Sequence, residues 1–231
     1  MVAIILRLVL LLCIFMNTVA HARSTHSLYY GSRLCEDTTK YSCYVAKRGD
    51  RWEKLFPDED KMNLEKHINR INIRLEPGMV LAIPRGDDLD IMSYSPFTKQ
   101  ISPLGEKVII VSLTNLAWGA YDEQGTLVRW GPASGARGYC PDIHGGCHTP
   151  TGSFAIYRKL GDECVSSKFP VGRGGAPMPY CMYFHGGFAL HGSYEVPGYN
   201  ASHGCVRLFV GDAEWLNETF TDIGTRVYVT K

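Results

Sequence analysis

The residues best suited to covalent chemistry lie in two short stretches, His191-Gly192-Ser193 and Ser202-His203-Gly204-Cys205. A thiol attacks a carbonyl carbon only as the thiolate, and a free cysteine is mostly protonated at neutral pH. A neighbouring imidazole that removes the proton, or an imidazolium that favours the thiolate, overcomes this limit. The pattern therefore predicts that Cys205 is a nucleophile and that a histidine activates it.

Two histidines, His191 and His203, are candidates for the activating base. His203 is two residues before Cys205, and on a strand the two side chains would point to the same side. His191 precedes the intervening loop, so the fold has to bring it to the thiol. Local spacing by itself therefore favours His203.

The neighbours of these residues are expected to bind the substrate or an oxyanion. Gly204 has no side chain, so the backbone can approach a substrate closely there, and the N–H groups around Gly204 and Cys205 are oxyanion-hole candidates. Arg207 is predicted to hold a substrate carboxylate, with a structural ion pair as the equal alternative. The predicted substrate-binding and oxyanion residues are Gly192, Ser193, Ser202, Gly204 and Arg207.

The cysteine count indicates one unpaired thiol. The chain has eight cysteines, and Cys13 lies in an N-terminal segment that we expect to be removed. Seven cysteines in an oxidising compartment leave one without a partner. Short loops favour three pairs, although six cysteines permit fifteen connectivities. The preferred pairs are Cys35 with Cys43, Cys140 with Cys147 and Cys164 with Cys181, and Cys205 is the residue left over.

A zinc site is the alternative to the disulfide between Cys140 and Cys147. Its four ligands would be Cys140, His144, Cys147 and His148. Their spacing is not that of a standard zinc site, and thiols oxidise in an exported protein. The disulfide is the preferred interpretation. We expect neither a metal ion nor an organic cofactor.

The N-terminus has the features of a secretory signal peptide over residues 1–22. Arg7 supplies the positive charge, residues 8–16 are apolar, and Ala20-His21-Ala22 has small residues at the positions that signal peptidase reads. The apolar run is too short to span a bilayer, so no stable membrane anchor is expected and the protein is predicted to be exported. The formal net charge is +1 with no basic block, which argues against a nucleic-acid partner.

A polar segment over residues 23–41 is followed by a small unit over residues 42–84. Patterning predicts a strand at residues 42–46, a helix with Trp52 and Leu55 that Asp50 caps, a second helix, and a strand at residues 79–83. The turns Gly49-Asp50 and Pro77-Gly78 in this βααβ order resemble a LysM module. That family binds N-acetylglucosamine polymers, and the alternative is a packing domain without affinity for sugar.

A linker is predicted over residues 85–106, and a mainly β domain over residues 107–231. Short apolar runs separated by turn residues predict strands at residues 107–111, 117–121, 126–130, 153–157 and 187–190. One helix is expected near the C-terminus, around residues 212–220, before a closing strand at residues 226–229. This pattern predicts a β-sandwich or a closed sheet.

The mainly β domain resembles the L,D-transpeptidase catalytic domain, also called the YkuD-like domain, over about residues 107–230. The resemblance lies in the His191-Gly192 pair, the Ser202-His203-Gly204-Cys205-Val206-Arg207 signature, Thr149-Pro150-Thr151-Gly152-Ser153-Phe154, and Met178-Pro179-Tyr180. It implies that Cys205 is the nucleophile, that His191 is the base, and that His203 lines the substrate side. The backbone carbonyl that orients His191 is then expected from Gly192.

The resemblance also implies a function. The thiolate of such enzymes attacks the amide between the third residue of a peptidoglycan stem tetrapeptide and its terminal D-Ala. A second stem or water then resolves the acyl-enzyme, and carbapenems trap it. The expected partners are peptidoglycan glycan strands and peptide stems.

Two alternatives remain open at this stage. The first is an L,D-carboxypeptidase, a crosslink-cleaving amidase or a transferase that attaches a protein to the wall; these share Cys205 and His191 and differ only in the acyl acceptor. The second is a wall-binding protein that uses the fold without turnover and is displayed to a host, similar to the enhanced-entry proteins of intracellular bacteria.

Overall fold

The structure is a computed structural model that describes residues 29–169 and 175–231. The predicted signal peptide over residues 1–22, with Cys13, lies outside the described residues. Within the described ranges, no helix combines the length and the apolar character that crossing a membrane requires.

The N-terminal unit contains the predicted strand–helix–helix–strand order, preceded by one additional short helix. The two strands pair antiparallel, with Cys43 opposite Ala82. Trp52, Met79 and Leu81 are buried in the core of this unit, which therefore has apolar packing of its own. Its elements are α1 Tyr30–Leu34, β1 Tyr41–Val45, α2 Trp52–Leu55, α3 Glu59–Asn69 and β2 Val80–Pro84.

The prediction that Asp50 caps the N-terminus of helix α2 is wrong. Arg51, not Asp50, occupies the N-cap position of α2, and its side chain makes no capping bond. The Asp50 carboxylate instead accepts hydrogen bonds from the Lys47 N–H at 2.8 Å and from the Tyr44 hydroxyl at 2.6 Å. A short acidic side chain can bond to the backbone of a turn as well as to a helix end, and here the turn before the helix uses it.

Residues 108–230 form a mainly β domain, as the sequence predicts. Nine strands make one sheet in the order β8-β13-β3-β4-β5-β12-β11-β10-β9, and β6 and β7 form a separate hairpin. The strands are β3 Val108–Ser112, β4 Ala117–Tyr121, β5 Leu127–Ser134, β6 Gly138–Cys140, β7 Gly145–Cys147, β8 Gly152–Ala155, β9 Arg158–Lys159, β10 Met182–His185, β11 Phe188–Gly192, β12 Val206–Leu208 and β13 Arg226–Thr230.

The large sheet curls until its two edges meet. The edge strands β8 and β9 are separated by only two residues, Ile156 and Tyr157, although they lie at opposite ends of the strand order. The Tyr157 N–H donates to the carbonyl of Tyr183 on β10 at 2.9 Å. This curling gives the closed sheet that the sequence predicts.

The central strands are buried on both faces. On one face the core includes Ile109, Trp118 and Leu190, covered by helix α4 (Val210–Trp215) and its continuation, a π-helical turn at Leu216–Phe220. On the other face Trp130 and Tyr121 are covered by residues of the predicted linker, including Phe97. The linker is therefore a packed segment of the domain surface, because the sheet has a second apolar face that needs covering.

The N-terminal unit lies against the loop that joins β11 to the turn before Cys205. The Asn72 side chain donates to the Ser193 carbonyl at 2.7 Å and accepts from the Val196 N–H at 2.8 Å. The Asn72 N–H also donates to the Val196 carbonyl at 3.0 Å, and the Tyr30 N–H donates to the Gly198 carbonyl at 2.8 Å. The N-terminal unit thus supports one wall of the cleft described below.

We predict that Asn72→Ala lowers the free energy of unfolding by about 2 kcal/mol, because it leaves a half-buried carbonyl and N–H without their partners. The melting temperature should fall by about 4–8 °C. Calorimetry of the full chain measures this change. Asn63→Ala on the exposed side of α3 is the matched control and should change the melting temperature little; equal effects of the two changes would contradict the role of Asn72.

Candidate active site

The two motif stretches meet in a cleft of about 490 Å³. His191, His203, Cys205 and Arg207 all line it, together with Ser193. Residues 166–169 and 176–179, called the strap below, also line the cleft. The fold therefore brings together residues that are separated in the sequence by the loop 194–201.

The pairing of β11 with β12 determines which side chains share the cleft. The two strands are parallel, with Leu190 opposite Val206 and His191 opposite Arg207. Residues that lie opposite each other on neighbouring strands point to the same face of the sheet. His191 and Arg207 therefore share a face, and Cys205, which directly precedes β12, lines the same cleft.

His191 is buried, with 6% of its surface exposed, and its ring is oriented by one backbone hydrogen bond. Its Nδ1 lies 2.9 Å from the carbonyl oxygen of Gly192. A carbonyl can only accept, so Nδ1 carries the proton and Nε2 carries the lone pair in the neutral ring. Burial lowers the pKa of His191 to about 4, and the nearby charge of Arg207 acts in the same direction. The ring is neutral at pH 7 and can accept a proton.

Cys205 is the unpaired cysteine of the described chain. Burial raises the pKa of its thiol, while a backbone hydrogen bond at Ala189 and the charge of Arg207 act in the opposite direction with smaller effect. At neutral pH Cys205 is therefore a thiol and His191 a neutral imidazole. Burial disfavours the charged form of each group, which argues against a preformed thiolate–imidazolium pair.

His203 lies in the turn before β12 and has a different environment from His191. Its Nε2 is 2.8 Å from each carboxylate oxygen of Asp142. Its ring stacks on Phe169 of the strap, with the ring centroids 4.4 Å apart. Sequence reasoning missed Asp142, which precedes His203 by 61 residues.

The turn before Cys205 is held by a side chain of its own, that of Ser202. The Ser202 hydroxyl donates to the Cys205 carbonyl at 2.5 Å and accepts from the Gly204 N–H at 3.0 Å. The Gly204 N–H is therefore already bonded within the turn. Gly204 has a φ of +157°, and a Cβ there would lie 2.3 Å from the ring of Phe188, so only glycine fits.

Arg207 is paired and also borders the cleft. Its Nη1 donates to the Glu195 carbonyl at 3.1 Å and lies 3.6 Å from the Glu195 carboxylate, which is largely exposed. The ion pair expected as one alternative is thus present. The Ser193 hydroxyl accepts from the Glu195 N–H at 3.0 Å and helps to shape the same loop.

The three cysteine pairs favoured by short spacing are bonded in the structure: Cys35–Cys43, Cys140–Cys147 and Cys164–Cys181. Because Cys140 and Cys147 are bonded to each other, neither offers a thiolate to a metal ion. The zinc set with His144 and His148 therefore lacks its two sulfur ligands.

Comparisons with known proteins agree with this geometry. The family model of the L,D-transpeptidase catalytic domain matches residues 106–229. The chain is similar to the crystal structure of an L,D-transpeptidase from Xylanimonas cellulosilytica, with 26% identity, 74% of this chain and 79% of that chain covered, and a TM-score of 0.53. An L,D-transpeptidase from Stackebrandtia nassauensis is similar with 25% identity, 75% and 78% coverage and a TM-score of 0.50.

A comparison with curated protein sequences found no match. The family match covers more than half of the chain and includes both motif stretches. The chain therefore belongs to the L,D-transpeptidase catalytic domain family, and it is an enzyme of that class. Peptidoglycan peptide stems are the substrates that this family implies, and the three disulfides fit an oxidising compartment.

We predict that His191 makes the protein less stable in acid. The pKa of His191 is about 4 in the folded state, below the model value of 6.5, so the unfolded chain binds the proton more readily as the pH falls. Between about pH 7 and pH 4 this lowers the free energy of unfolding by about 3 kcal/mol.

Chemical denaturation of the wild type and of His191→Asn at both pH values measures this contribution. The wild type should lose about 3 kcal/mol more than the variant over this range. His185→Asn, at an exposed histidine, is the control and should behave like the wild type. An equal loss in the wild type and His191→Asn would contradict the neutral buried ring.

Proposed function

We propose that the protein is an exported cysteine L,D-transpeptidase that forms or remodels peptidoglycan crosslinks through an acyl-enzyme on Cys205. The observation that supports this most directly is the shared face of β11 and β12. It presents a thiol, an imidazole with its lone pair on Nε2, and a guanidinium to one cleft.

The acylation step follows from these positions. As the stem carbonyl carbon approaches, the Cys205 proton passes to Nε2 of His191, and the sulfur forms a bond to the carbon. The carbonyl oxygen becomes an oxyanion, for which the Cys205 N–H is the donor candidate because the Gly204 N–H is bonded to Ser202. The intermediate then expels the amine of the terminal D-Ala, which takes the proton from His191 and leaves a thioester.

Deacylation reverses the same proton path. The amine of a second stem attacks the thioester, gives a proton to His191, and leaves Cys205 as the thiol when the new amide forms. Water in place of the amine releases a trimmed stem. A carboxypeptidase, a crosslink-cleaving enzyme and a protein-attaching enzyme share Cys205 and His191, so product analysis with two defined muropeptides distinguishes them.

Export is supported by the cysteines. Six of the seven cysteines in the described chain are paired, which an oxidising compartment allows and a reducing cytosol does not. The signal-like segment over residues 1–22 is the second support. We therefore propose that the protein acts in the periplasm or at the cell wall.

The unit over residues 42–84 is proposed to hold glycan. Its two predicted turns are neighbours, because the Ala46 N–H donates to the Met79 carbonyl at 2.8 Å and the Gly78 N–H donates to the Ala46 carbonyl at 2.8 Å. Exposed residues at this end of the unit, Arg51 among them, offer polar contacts to a sugar chain.

The acyl-enzyme is tested by incubating the protein with a carbapenem or a tetrapeptide stem. We expect one adduct per protein on Cys205, none on Cys205→Ser, and acylation at least about a hundredfold slower in His191→Ala because the thiol keeps its proton. His203→Ala should be slowed less. Intact-protein mass spectrometry over time, with peptide mapping, measures all four proteins.

Two results would contradict this assignment. If His191→Ala is acylated at the wild-type rate and His203→Ala is inactive, then His203 is the base and His191 is not. A wild type without an adduct from either reagent would favour the wall-binding protein that lacks turnover.

Glycan binding is tested with full-length Cys205→Ser protein, which cannot turn over stems, and immobilised peptide-free glycan strands. The protein should be retained, and a further Arg51→Ala change should weaken retention because Arg51 borders the two turns. Lys99→Ala, an exposed cation on the other domain, is the matched control. Equal weakening by both changes, or no retention at all, would argue for a packing unit without sugar affinity.

A further inference from the structure

The hairpin β6–β7 supports the nucleophile turn from outside the motif. The Arg137 N–H donates to the Ser202 carbonyl at 3.0 Å, and the Arg137 side chain donates to the Ala201 carbonyl. The Thr149 hydroxyl donates to the Gly204 carbonyl at 2.8 Å. Residues on either side of the hairpin therefore bind three carbonyls of the turn that leads to Cys205, those of Ala201, Ser202 and Gly204.

The tip of this hairpin carries Asp142. It lies between Cys140 and Cys147, whose disulfide closes the loop at its base. The side-chain hydrogen bond from His203 holds the pKa of Asp142 below its usual range, so the carboxylate stays ionised at neutral pH. A carboxylate only accepts, so His203 donates from Nε2 and the neutral ring carries its lone pair on Nδ1.

The His203 ring is restrained from two sides. Asp142 holds one edge at 2.8 Å, and Phe169 of the strap stacks against one face. His203 itself lines the cleft beside Cys205. The tautomer and the orientation of the His203 ring are therefore both fixed, in the cleft that a bound peptide would occupy.

We propose that Asp142 is a positioning residue for acyl transfer, which holds the His203 imidazole in the orientation and tautomer that the bound peptide requires. This inference rests on the proposed function. Asp142 acts through His203 and does not touch the reacting atoms. With Nε2 bound to the carboxylate, Nδ1 is the acceptor that His203 offers to an amide or amine in the cleft.

A purely structural role is the competing explanation. Asp142 and His203 are both partly exposed, and an exposed ion pair contributes little to stability. The hairpin is also closed by its disulfide whatever residue stands at position 142. Removing the carboxylate should therefore leave the fold intact and change the reaction, which makes the two explanations separable.

The experiment measures kcat/KM for a tetrapeptide stem with the full chain. We expect Asp142→Ala to lower it by about tenfold, no more than His203→Ala does, because the imidazole remains but is no longer held in position, with an unchanged melting temperature. Asp87→Ala, an exposed aspartate in the segment before the sheet domain, should match the wild type. Added formate should restore part of the activity of Asp142→Ala, because solvent reaches the partly exposed pair.

A double variant then tests whether Asp142 acts through His203. Asp142→Ala combined with His203→Ala should be no slower than His203→Ala alone, since the carboxylate has nothing left to position. Additive losses, no effect of Asp142→Ala, or a loss that formate does not restore would overturn the proposal. A wild type that forms no acyl-enzyme would instead overturn the proposed function on which it rests.

Discussion

The parallel pairing of β11 with β12 is the constraint on which the rest of the site depends. Its register places His191 opposite Arg207 and so points the His191 imidazole, the Cys205 thiol and the Arg207 guanidinium to one face. Side chains alternate along a strand, so a slip of one residue would turn His191 to the opposite face of the sheet. The curled sheet and helix α4 bury this pair of strands and hold the register.

Burial determines the state in which the site waits for substrate. The same low-polarity surroundings lower the pKa of His191 to about 4 and raise that of Cys205, so both groups are neutral at rest. The Gly192 carbonyl fixes the His191 tautomer without adding a charge. In the proposed reaction, proton transfer accompanies attack on the carbonyl, at the moment when the developing oxyanion can be stabilised.

Three distant parts of the chain support the cleft. The N-terminal unit holds the loop after His191 through Asn72, the disulfide-closed hairpin reaches His203 through Asp142, and the strap stacks Phe169 on the same ring. The Cys164–Cys181 disulfide joins the strap region to the residue before β10. Loop residues are mobile unless they are tied to rigid elements, and these contacts tie the loop after His191 and the turn before Cys205.

The sequence by itself determined what local spacing can encode: the motif around Cys205, the odd cysteine, the strand–helix–helix–strand order and a mainly β domain. Residue spacing alone favoured His203 as the base, and only the strand pairing, together with the family resemblance, favours His191. The tertiary structure also decided that Asp50 closes a turn, that the Gly204 N–H is bonded to Ser202, and that Asp142 reaches His203. These depend on side-chain direction and on contacts across as many as 61 residues, which no local periodicity contains.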